Sequence, residues 1–366
     1  MSVTLREFVH WLDNAIPLEY QESYDNSGLQ VGEPDMHIDS VLLTLDVNQD
    51  VVSEAVEKGC NLIVSHHPLI FSPLKRIGGG SVTERTVADA IKGNIAIYSS
   101  HTCFDAMAWG VSRVMAEKAG LKDISILVPV TGKLFKIAVY VPLSHAVAVR
   151  EALFNAGAGH TGNYSSCSFT SAGTGTFMAS EGANPYSGEI NRLFAGEEVK
   201  IETVVPSHLV KTALEAMKKA HPYEEVAYDL YRLENNYGFA GMGAVGVLPE
   251  PLSGYEFLEK LKRCFEVPVI RYSGDASSKI ERVAVCGGSG AGFINNAFRS
   301  GADAFITGDV KYHSFTEAPA SLLVADIGHY ESEKYSLKVL YDIINKNFPK
   351  FALRFSETKT NPINYI

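Results

Sequence analysis

The chain has 366 residues, of which 46% are hydrophobic and 20% are charged, and its formal net charge is −10. Because this length exceeds what one hydrophobic core usually carries, we expect more than one domain. The acidic balance argues against binding to nucleic acid or to anionic membranes, since both need a basic surface. The sequence has no secretory signal pattern, no run of about 18 apolar residues and only five scattered cysteines, so we expect a reduced, cytoplasmic protein.

Two segments of the sequence repeat one order of elements. A strand, a helix and an apolar strand are predicted at residues 40–46, 50–58 and 60–65, and again at residues 281–286, 293–300 and 302–307. In each copy a third strand comes next, and a helix follows it in the sequence, at residues 106–119 in the first copy and 334–347 in the second. The match predicts an α/β fold built from two duplicated half-domains.

A stretch of different character separates the two copies. Its order is a strand and a helix, then β-rich sequence, then a strand, a helix and a strand, which is typical of a ferredoxin-like plan. We therefore expect residues 1–128 and 238–366 to form one core and residues 129–237 to form an inserted α+β domain.

Side chains that bind metal ions collect at the strand ends of both copies. His66 and His67 close an apolar strand just before Pro68, and other strands end at His101 and His329. A carboxylate follows each of the last two histidines by four residues, which places each pair on one face of a helix that begins at the histidine. The candidate ligands are His66, His67, His101, Asp105, Asp309, His313, His329 and Glu333.

Imidazoles and carboxylates without thiolates are typical of a hydrolytic two-metal site that holds zinc, manganese, iron or cobalt. Because adjacent residues of a strand point to opposite sides, His66 and His67 can serve two different ions, and a carboxylate such as Asp105 can bridge them. The alternative is a set of hydrogen-bonded surface histidines and exposed helical pairs. The joint placement of these residues at corresponding strand ends favours a metal-binding core.

The glycine-rich turn Cys286–Gly292 follows a strand, but its glycines do not match the pattern G-x-G-x-x-G. A dinucleotide site is therefore not expected there. The turn could hold a phosphate at a helix N-terminus, or it could be a tight strand-to-helix connection.

Four motifs in order resemble those of a known family. They are Ser65–Phe71, Tyr98–Asp105, Thr307–His313 and Asp326–Glu333. They are similar to motifs of the dinuclear-metal-centre hexameric family, which is named after the NGG-one-interacting factor three protein and catalogued as GTP cyclohydrolase 1 type 2 homologs. Residues 24–32 also look like its N-terminal signature, with Tyr24 where a tryptophan is more usual, and the middle region resembles the PII- and CutA-like insert of long bacterial members.

The resemblance implies that two divalent ions are bound in each subunit, and we expect zinc ahead of manganese, iron and cobalt. It assigns as their ligands His66, His67, Asp105, His329 and Glu333, of which Asp105 and Glu333 are the candidate bridges. It also implies a toroidal homohexamer. By fold analogy, we expect the insert to act as a gate or sensor at the mouths of the ring.

The implied reaction is the hydrolytic opening of the guanine imidazole ring of GTP by a metal-activated water, with His101 as candidate acid and base. One alternative is a metal-dependent phosphoesterase or amidohydrolase that acts on another small metabolite. The other is a non-catalytic metal-binding or sensor assembly.

Overall fold

The computed structural model describes residues 3–366. Contacts within the chain divide it into two compact units. The core unit consists of the residues up to Pro129 together with Phe239–Ile366, and the insert consists of Val130–Gly238. Within the described residues, no helix is long and apolar enough to cross a membrane.

The first half of the core unit alternates strands and helices. Its strands are β1 (Val3–Thr4), β2 (Gly28–Val31), β3 (His37–Ile38), β4 (Ser40–Thr44), β5 (Leu62–Ser65), β6 (Ala96–Ser99) and β7 (Lys122–Val130). Its helices are α1 (Leu5–Ala15), α2 (Gln49–Glu57), α3 (Val82–Lys92), α4 (Thr102–Asp105) and α5 (Val111–Lys118). Side-chain caps begin several of these helices. Asn48 accepts from a backbone N–H of α2, and Ser81 does the same for α3.

The insert and the second half of the core unit follow. The insert contains β8 (Leu134–Pro142), α6 (Ala146–Asn155), β9 (Ser168–Met178), β10 (Leu193–Pro206), α7 (Val210–Ala220) and β11 (Tyr228–Leu233). The second half has the strands β12 (Tyr237–Ser253), β13 (Arg271–Ser273), β14 (Lys279–Val285), β15 (Ala304–Thr307), β16 (Leu323–Asp326) and β17 (Ala352–Phe355). Its helices are α8 (Gly254–Phe265), α9 (Ile294–Arg299), α10 (Tyr312–Glu317), α11 (His329–Glu333) and α12 (Leu337–Asn347).

The core unit contains two large sheets, and three parallel strands lie at the centre of each. One has the strand order β17-β4-β5-β6-β2, and the other has the order β13-β16-β15-β14-β12-β7. Strands β4, β5 and β6 run parallel, as do β14, β15 and β16. Every residue of β5, β6, β15 and β16 is buried, as expected of parallel strands covered on both faces. The predicted duplication of α/β half-domains is therefore confirmed.

The insert has a four-stranded antiparallel sheet with the order β11-β8-β10-β9. Its two helices pack on one face, where alternate residues of β8 and β10 form a core of their own around Ile137, Val139 and Ile201. Strand order and connection together define the ferredoxin-like, PII/CutA-like fold that the sequence predicts.

The helices that follow the third strand of each copy are shorter than the sequence predicts. In the first copy, α5 begins only at Val111, because a turn ending at Gly110 separates it from α4. A Cβ on Gly110 would lie 2.0 Å from the Phe104 carbonyl oxygen, so this close approach requires a glycine. In the second copy, α11 and a turn at Lys334–Ser336 precede α12.

Candidate metal centre

The candidate ligands lie where the parallel strands of the two sheets end. His66 and His67 follow β5, and His101 follows β6 and precedes α4. In the other half, His329 is the first residue of α11, which follows β16, and Glu333 is its last residue. Carboxyl ends of parallel strands are the usual position of ligand sites in α/β proteins, because the loops that follow the strands converge there.

His66 is fully buried, and only one of its two ring nitrogens makes a hydrogen bond. Its Nδ1 lies 3.0 Å from the Ser100 carbonyl oxygen, which fixes the ring with Nδ1 as the hydrogen-bonding nitrogen. Its Nε2 lies 3.6 Å from Oδ1 of Asp105 and 3.6 Å from Oε1 of Glu333. These distances are too long for hydrogen bonds, and they suit three atoms around a common ion.

The other oxygen of Glu333 faces two further imidazoles. Its Oε2 lies 3.0 Å from Nε2 of His67 and 3.2 Å from Nε2 of His329. Behind the rings, Nδ1 of His67 lies 2.7 Å from Oδ1 of Asp46, and Nδ1 of His329 lies 2.7 Å from Oδ2 of Asp309. A carboxylate behind a histidine is the usual way to orient a metal ligand, because it fixes the ring and raises its basicity.

Three of the facing atoms are buried and make no well-formed hydrogen bond, although one of them lies close to two imidazoles: Nε2 of His66, Oδ1 of Asp105 and Oε2 of Glu333. Buried polar atoms are rarely left in this state, because each one costs about 1–3 kcal/mol. Cations bound on the two sides of Glu333 would satisfy all three atoms. The group formed by His66, His67 and Glu333 can hold a metal ion, since its ligand atoms lie within 4.8 Å of one another.

The carboxylates of the cluster also favour positive charge on the groups around them. Burial lowers the pKa of His67, but its contacts with Asp46 and Glu333 outweigh this effect and raise the pKa to about 10. In the same way, Glu333 and Asp309 overcome burial at His329 and raise its pKa to about 9. Burial raises the pKa of Asp105 to about 6, with Glu333 adding to the rise. The carboxylates therefore favour positive charge at this position.

A glycine of the Cys286–Gly292 turn makes room for the central carboxylate. Gly288 has a φ of +60°, and a Cβ at this position would lie 2.3 Å from Oε1 of Glu333. Its N–H donates to the hydroxyl of Ser332 on α11 at 2.9 Å. The turn therefore packs against the candidate metal ligands.

His101 lies beside this cluster. Its ring centroid is 5.5 Å from the ring of His66 and 5.5 Å from that of His67. Its Nδ1 lies 2.8 Å from Oδ1 of Asp25, whose side chain is fully buried. Burial raises the pKa of Asp25, but hydrogen bonds from His101 and Thr102 outweigh burial and hold that pKa well below its usual range. His101 is thus a ring anchored by an ionised carboxylate.

The structure brings together most of the residues that the sequence singled out. His66, His67 and His329 lie around Glu333, with Asp105 beside His66, and His101 and Asp309 lie next to this cluster. His313 is exposed and does not line the adjacent cavity. The sequence analysis singled out neither Asp46 nor Asp25 as a partner of these histidines. The signal for Asp46 was its place just after β4, beside the strand that ends at His66.

A cavity of about 840 Å³ opens beside the cluster. Its wall includes His67, His101 and His329, together with the aromatic rings of Phe71, Tyr330 and Tyr365. Its carboxylates are Asp46, Asp309, Asp326 and Glu331, and its one Lys or Arg side chain among the described residues is Arg271. This volume lies within the range of about 300–1,000 Å³ that is usual for small-molecule sites.

The duplicated sheets and the histidine–carboxylate cluster define a class of α/β protein with a candidate metal centre between two half-domains. Comparison with known proteins agrees with that class. The sequence profile described as Duf34/NIF3 (NGG1p interacting factor 3) matches residues 3–362. The chain belongs to this family.

Several relatives are similar over nearly the whole chain. A Bacillus subtilis protein named GTP cyclohydrolase 1 type 2 homolog is 40% identical and covers 100% of this chain and 99% of its own length. A Halalkalibacterium halodurans protein of the same name is 43% identical over 90% of this chain and 88% of its own length. The crystal structure of a Bacillus cereus protein related to NIF3 has a TM-score of 0.88 at 38% identity and covers 100% of this chain and 99% of that one.

Proposed function

We propose that the core unit is a dinuclear-metal-dependent hydrolase that acts on a small molecule. The observation that carries the proposal is the set of buried ligand atoms of His66, Asp105 and Glu333 that make no well-formed hydrogen bond, beside a cavity of substrate size. Structural metal sites are usually closed by protein ligands, whereas catalytic sites border a space that water and substrate can enter. Here the cavity wall includes two of the candidate ligands, His67 and His329.

The proposed ligands fall into two groups that share Glu333. His66 and Asp105 are near its Oε1 side, and His67 and His329 are near its Oε2. This division supports Glu333 as the bridge between two ions, with Asp105 as the second candidate. The donor set of imidazoles and carboxylates suits zinc first, and manganese, iron or cobalt as alternatives.

Two such ions would supply Lewis-acid chemistry and an activated water near neutral pH. The residues around them have separate tasks. His101 lines the cavity and is anchored at Nδ1 by Asp25, which leaves its Nε2 to exchange protons with a substrate. Asp46 and Asp309 hold the rings of His67 and His329 in place, so that the ligand geometry does not change during turnover.

The proposed substrate is GTP, with hydrolytic opening of its imidazole ring as the reaction. The shared name of the relatives supports this choice, and so do the aromatic rings of Phe71, Tyr330 and Tyr365, which suit a planar base. The carboxylates of the wall repel phosphates. Because the guanidinium of Arg271 is already bonded to Asp326, we expect binding of GTP to depend on bound cations.

The test is a GTP turnover assay on zinc-loaded protein, with formate release and metal content measured together. We expect metal-dependent turnover in the wild type and a loss of at least about 100-fold in His66→Ala. His313→Ala, which alters an exposed histidine outside the cavity, is the control and should match the wild type.

Full metal occupancy without metal-dependent turnover of GTP would remove the cyclohydrolase proposal. A panel of phosphoesters and amides would then test the phosphoesterase and amidohydrolase alternatives. Inactivity on the whole panel would leave the non-catalytic metal-binding assembly.

We also propose that the chain assembles as a ring-shaped homohexamer, which its family resemblance implies. Exposed apolar side chains on the core unit, including Tyr24, Phe71, Ile77 and Ile91, are compatible with a subunit interface. Light scattering should give a mass about six times that of the 39.8 kDa chain. A monomer or dimer at micromolar concentration would contradict this proposal.

A further inference from the structure

The insert contains a cavity of its own, of about 560 Å³. It lies against the paired strands β9 and β10 and against the segment 223–227 that follows α7. Four aromatic rings contribute to its wall, those of Tyr140, Phe177, Tyr186 and Tyr223. None of these residues belongs to the core unit, so the cavity is independent of the candidate metal centre.

The ring of Tyr223 lies at an angle to two of the other rings rather than stacked on them. The centroid of Tyr223 lies 5.9 Å from that of Phe177, with 66° between the planes. It lies 6.0 Å from that of Tyr186, with 46° between the planes. Inclined rings form the walls of a cage, and the face of an aromatic ring carries partial negative charge that attracts cations.

The charged side chains of the wall have one sign. Glu198, Glu224 and Glu225 line the cavity, and the described residues that line it include no lysine, arginine or histidine. Glu198 accepts a hydrogen bond of 2.7 Å from the hydroxyl of Tyr223, which orients its carboxylate. Burial raises the pKa of Tyr223, and the carboxylate of Glu198 raises it further, so the phenol keeps the proton that it donates.

A glycine makes room for this carboxylate. A Cβ at Gly175 on β9 would lie 2.2 Å from Oε2 of Glu198, so any larger residue there would displace the acid. The carboxylate is thus both packed and hydrogen-bonded at the edge of an aromatic cage.

This chemistry selects one class of ligand. Anions such as phosphates are disfavoured, because the wall is acidic. A bare metal ion is disfavoured as well, since His66, His67 and Glu333 of the core unit are the only described residues whose ligand atoms converge as a metal site requires. An organic cation meets both features, because its charge pairs with Glu198 while its alkyl groups lie on the rings.

We propose that the insert binds a small organic cation of the quaternary or alkylated ammonium class in this cavity. The test is calorimetric titration of the full-length protein with tetramethylammonium, choline and benzyltrimethylammonium. The neutral carbon analogue of choline, 3,3-dimethylbutan-1-ol, has the same shape without the charge. We expect at least one cation to bind, and we expect the neutral analogue to bind at least about tenfold more weakly than choline.

Two variants locate the site. Glu198→Gln removes the charge but keeps an acceptor for the Tyr223 hydroxyl, and it should weaken cation binding about tenfold. Glu202→Gln alters an acid on the same strand that does not line the cavity, and it should leave binding unchanged. Thermal unfolding of both variants checks that the fold is retained.

Equal binding of choline and its neutral analogue would overturn the proposal, because the cavity would then be a general apolar site. Absence of binding by all three cations at about 10 mM would overturn it as well. So would cation binding that Glu198→Gln leaves unchanged.

Discussion

The Nε2 atoms of His67 and His329 lie 3.2 Å apart, although 262 positions separate the two residues in the sequence. The rings come from different halves of the duplicated core. Two nitrogens that bind one zinc ion tetrahedrally, each at about 2.0–2.1 Å, stand about 3.3–3.4 Å apart. The observed spacing is therefore close to that of two ligands of one ion, and each ring is already held from behind by a carboxylate.

Removing the charge of Glu333 should reduce the metal content. In Glu333→Gln, the amide no longer offers two anionic oxygens to the two groups of histidines, so we expect loss of at least one of two ions. Metal analysis of purified protein measures the result. Glu331→Gln on the same helix alters an acid that pairs with Asn361 outside the cluster, and it should keep both ions. Two ions in both variants would contradict the bridging role.

The carboxylate behind His67 should contribute to affinity without touching the ions. We expect Asp46→Ala to weaken metal binding about 10- to 100-fold, because the His67 ring loses its orienting partner. Competition with a chelator of known affinity measures the change. The matched change Asp50→Ala removes an exposed aspartate at the start of α2 and should have no effect. Equal affinities in the two variants would refute the role of Asp46.

Adding one methyl group at Gly288 tests whether Glu333 needs the space beside this residue. Gly288→Ala places a Cβ against Oε1 of Glu333 at a positive φ, so we expect reduced metal content and a destabilisation of about 1–2 kcal/mol. Gly292→Ala in the same turn meets no atom within 4 Å and should behave as the wild type. Chemical denaturation and metal analysis test both variants, and normal metal content in Gly288→Ala would contradict the packing argument.

Glu54 should make stability depend on pH. Its carboxylate accepts from the backbone N–H of Glu357 at 2.8 Å and from Lys58 at 2.7 Å. Burial raises its pKa, but these bonds and those from Ser356 and Thr358 lower it to about 2. Because the folded pKa lies below the ordinary value of 4.5, the stabilisation is present above about pH 4.5 and is lost as the pH falls toward about 2.

We therefore expect Glu54→Gln to cost about 2 kcal/mol at pH 7 and much less at pH 3. Denaturant unfolding at the two pH values gives the difference, with the exposed Glu57→Gln as control. A cost that is the same at both pH values would contradict the assignment. The C-terminal segment that Glu54 holds also carries Thr360, whose hydroxyl donates to Asp46 at 3.0 Å, so Glu54→Gln should weaken metal binding as well.

The sequence predicts the fold well where the pattern is local. The buried strands β5 and β15 are continuous apolar runs, and the repeated His-x-x-x-carboxylate spacing indicates which helix starts face the same site. Prediction from the sequence fails where two residues in contact come from distant segments of the chain. The place of Asp46 just after β4 is its one local signal, and its contact with His67 depends on the pairing of β4 with β5. The role of Gly288 likewise depends on α11, more than 40 residues away.

We propose that two metal ions share Glu333. Anomalous diffraction from crystals of the metal-loaded protein, measured on both sides of the zinc absorption edge, tests this claim most directly. We predict two peaks per chain, about 3.5–4 Å apart, one beside His66 and Asp105 and one between His67 and His329. A single peak, no peak or peaks away from Glu333 would contradict it.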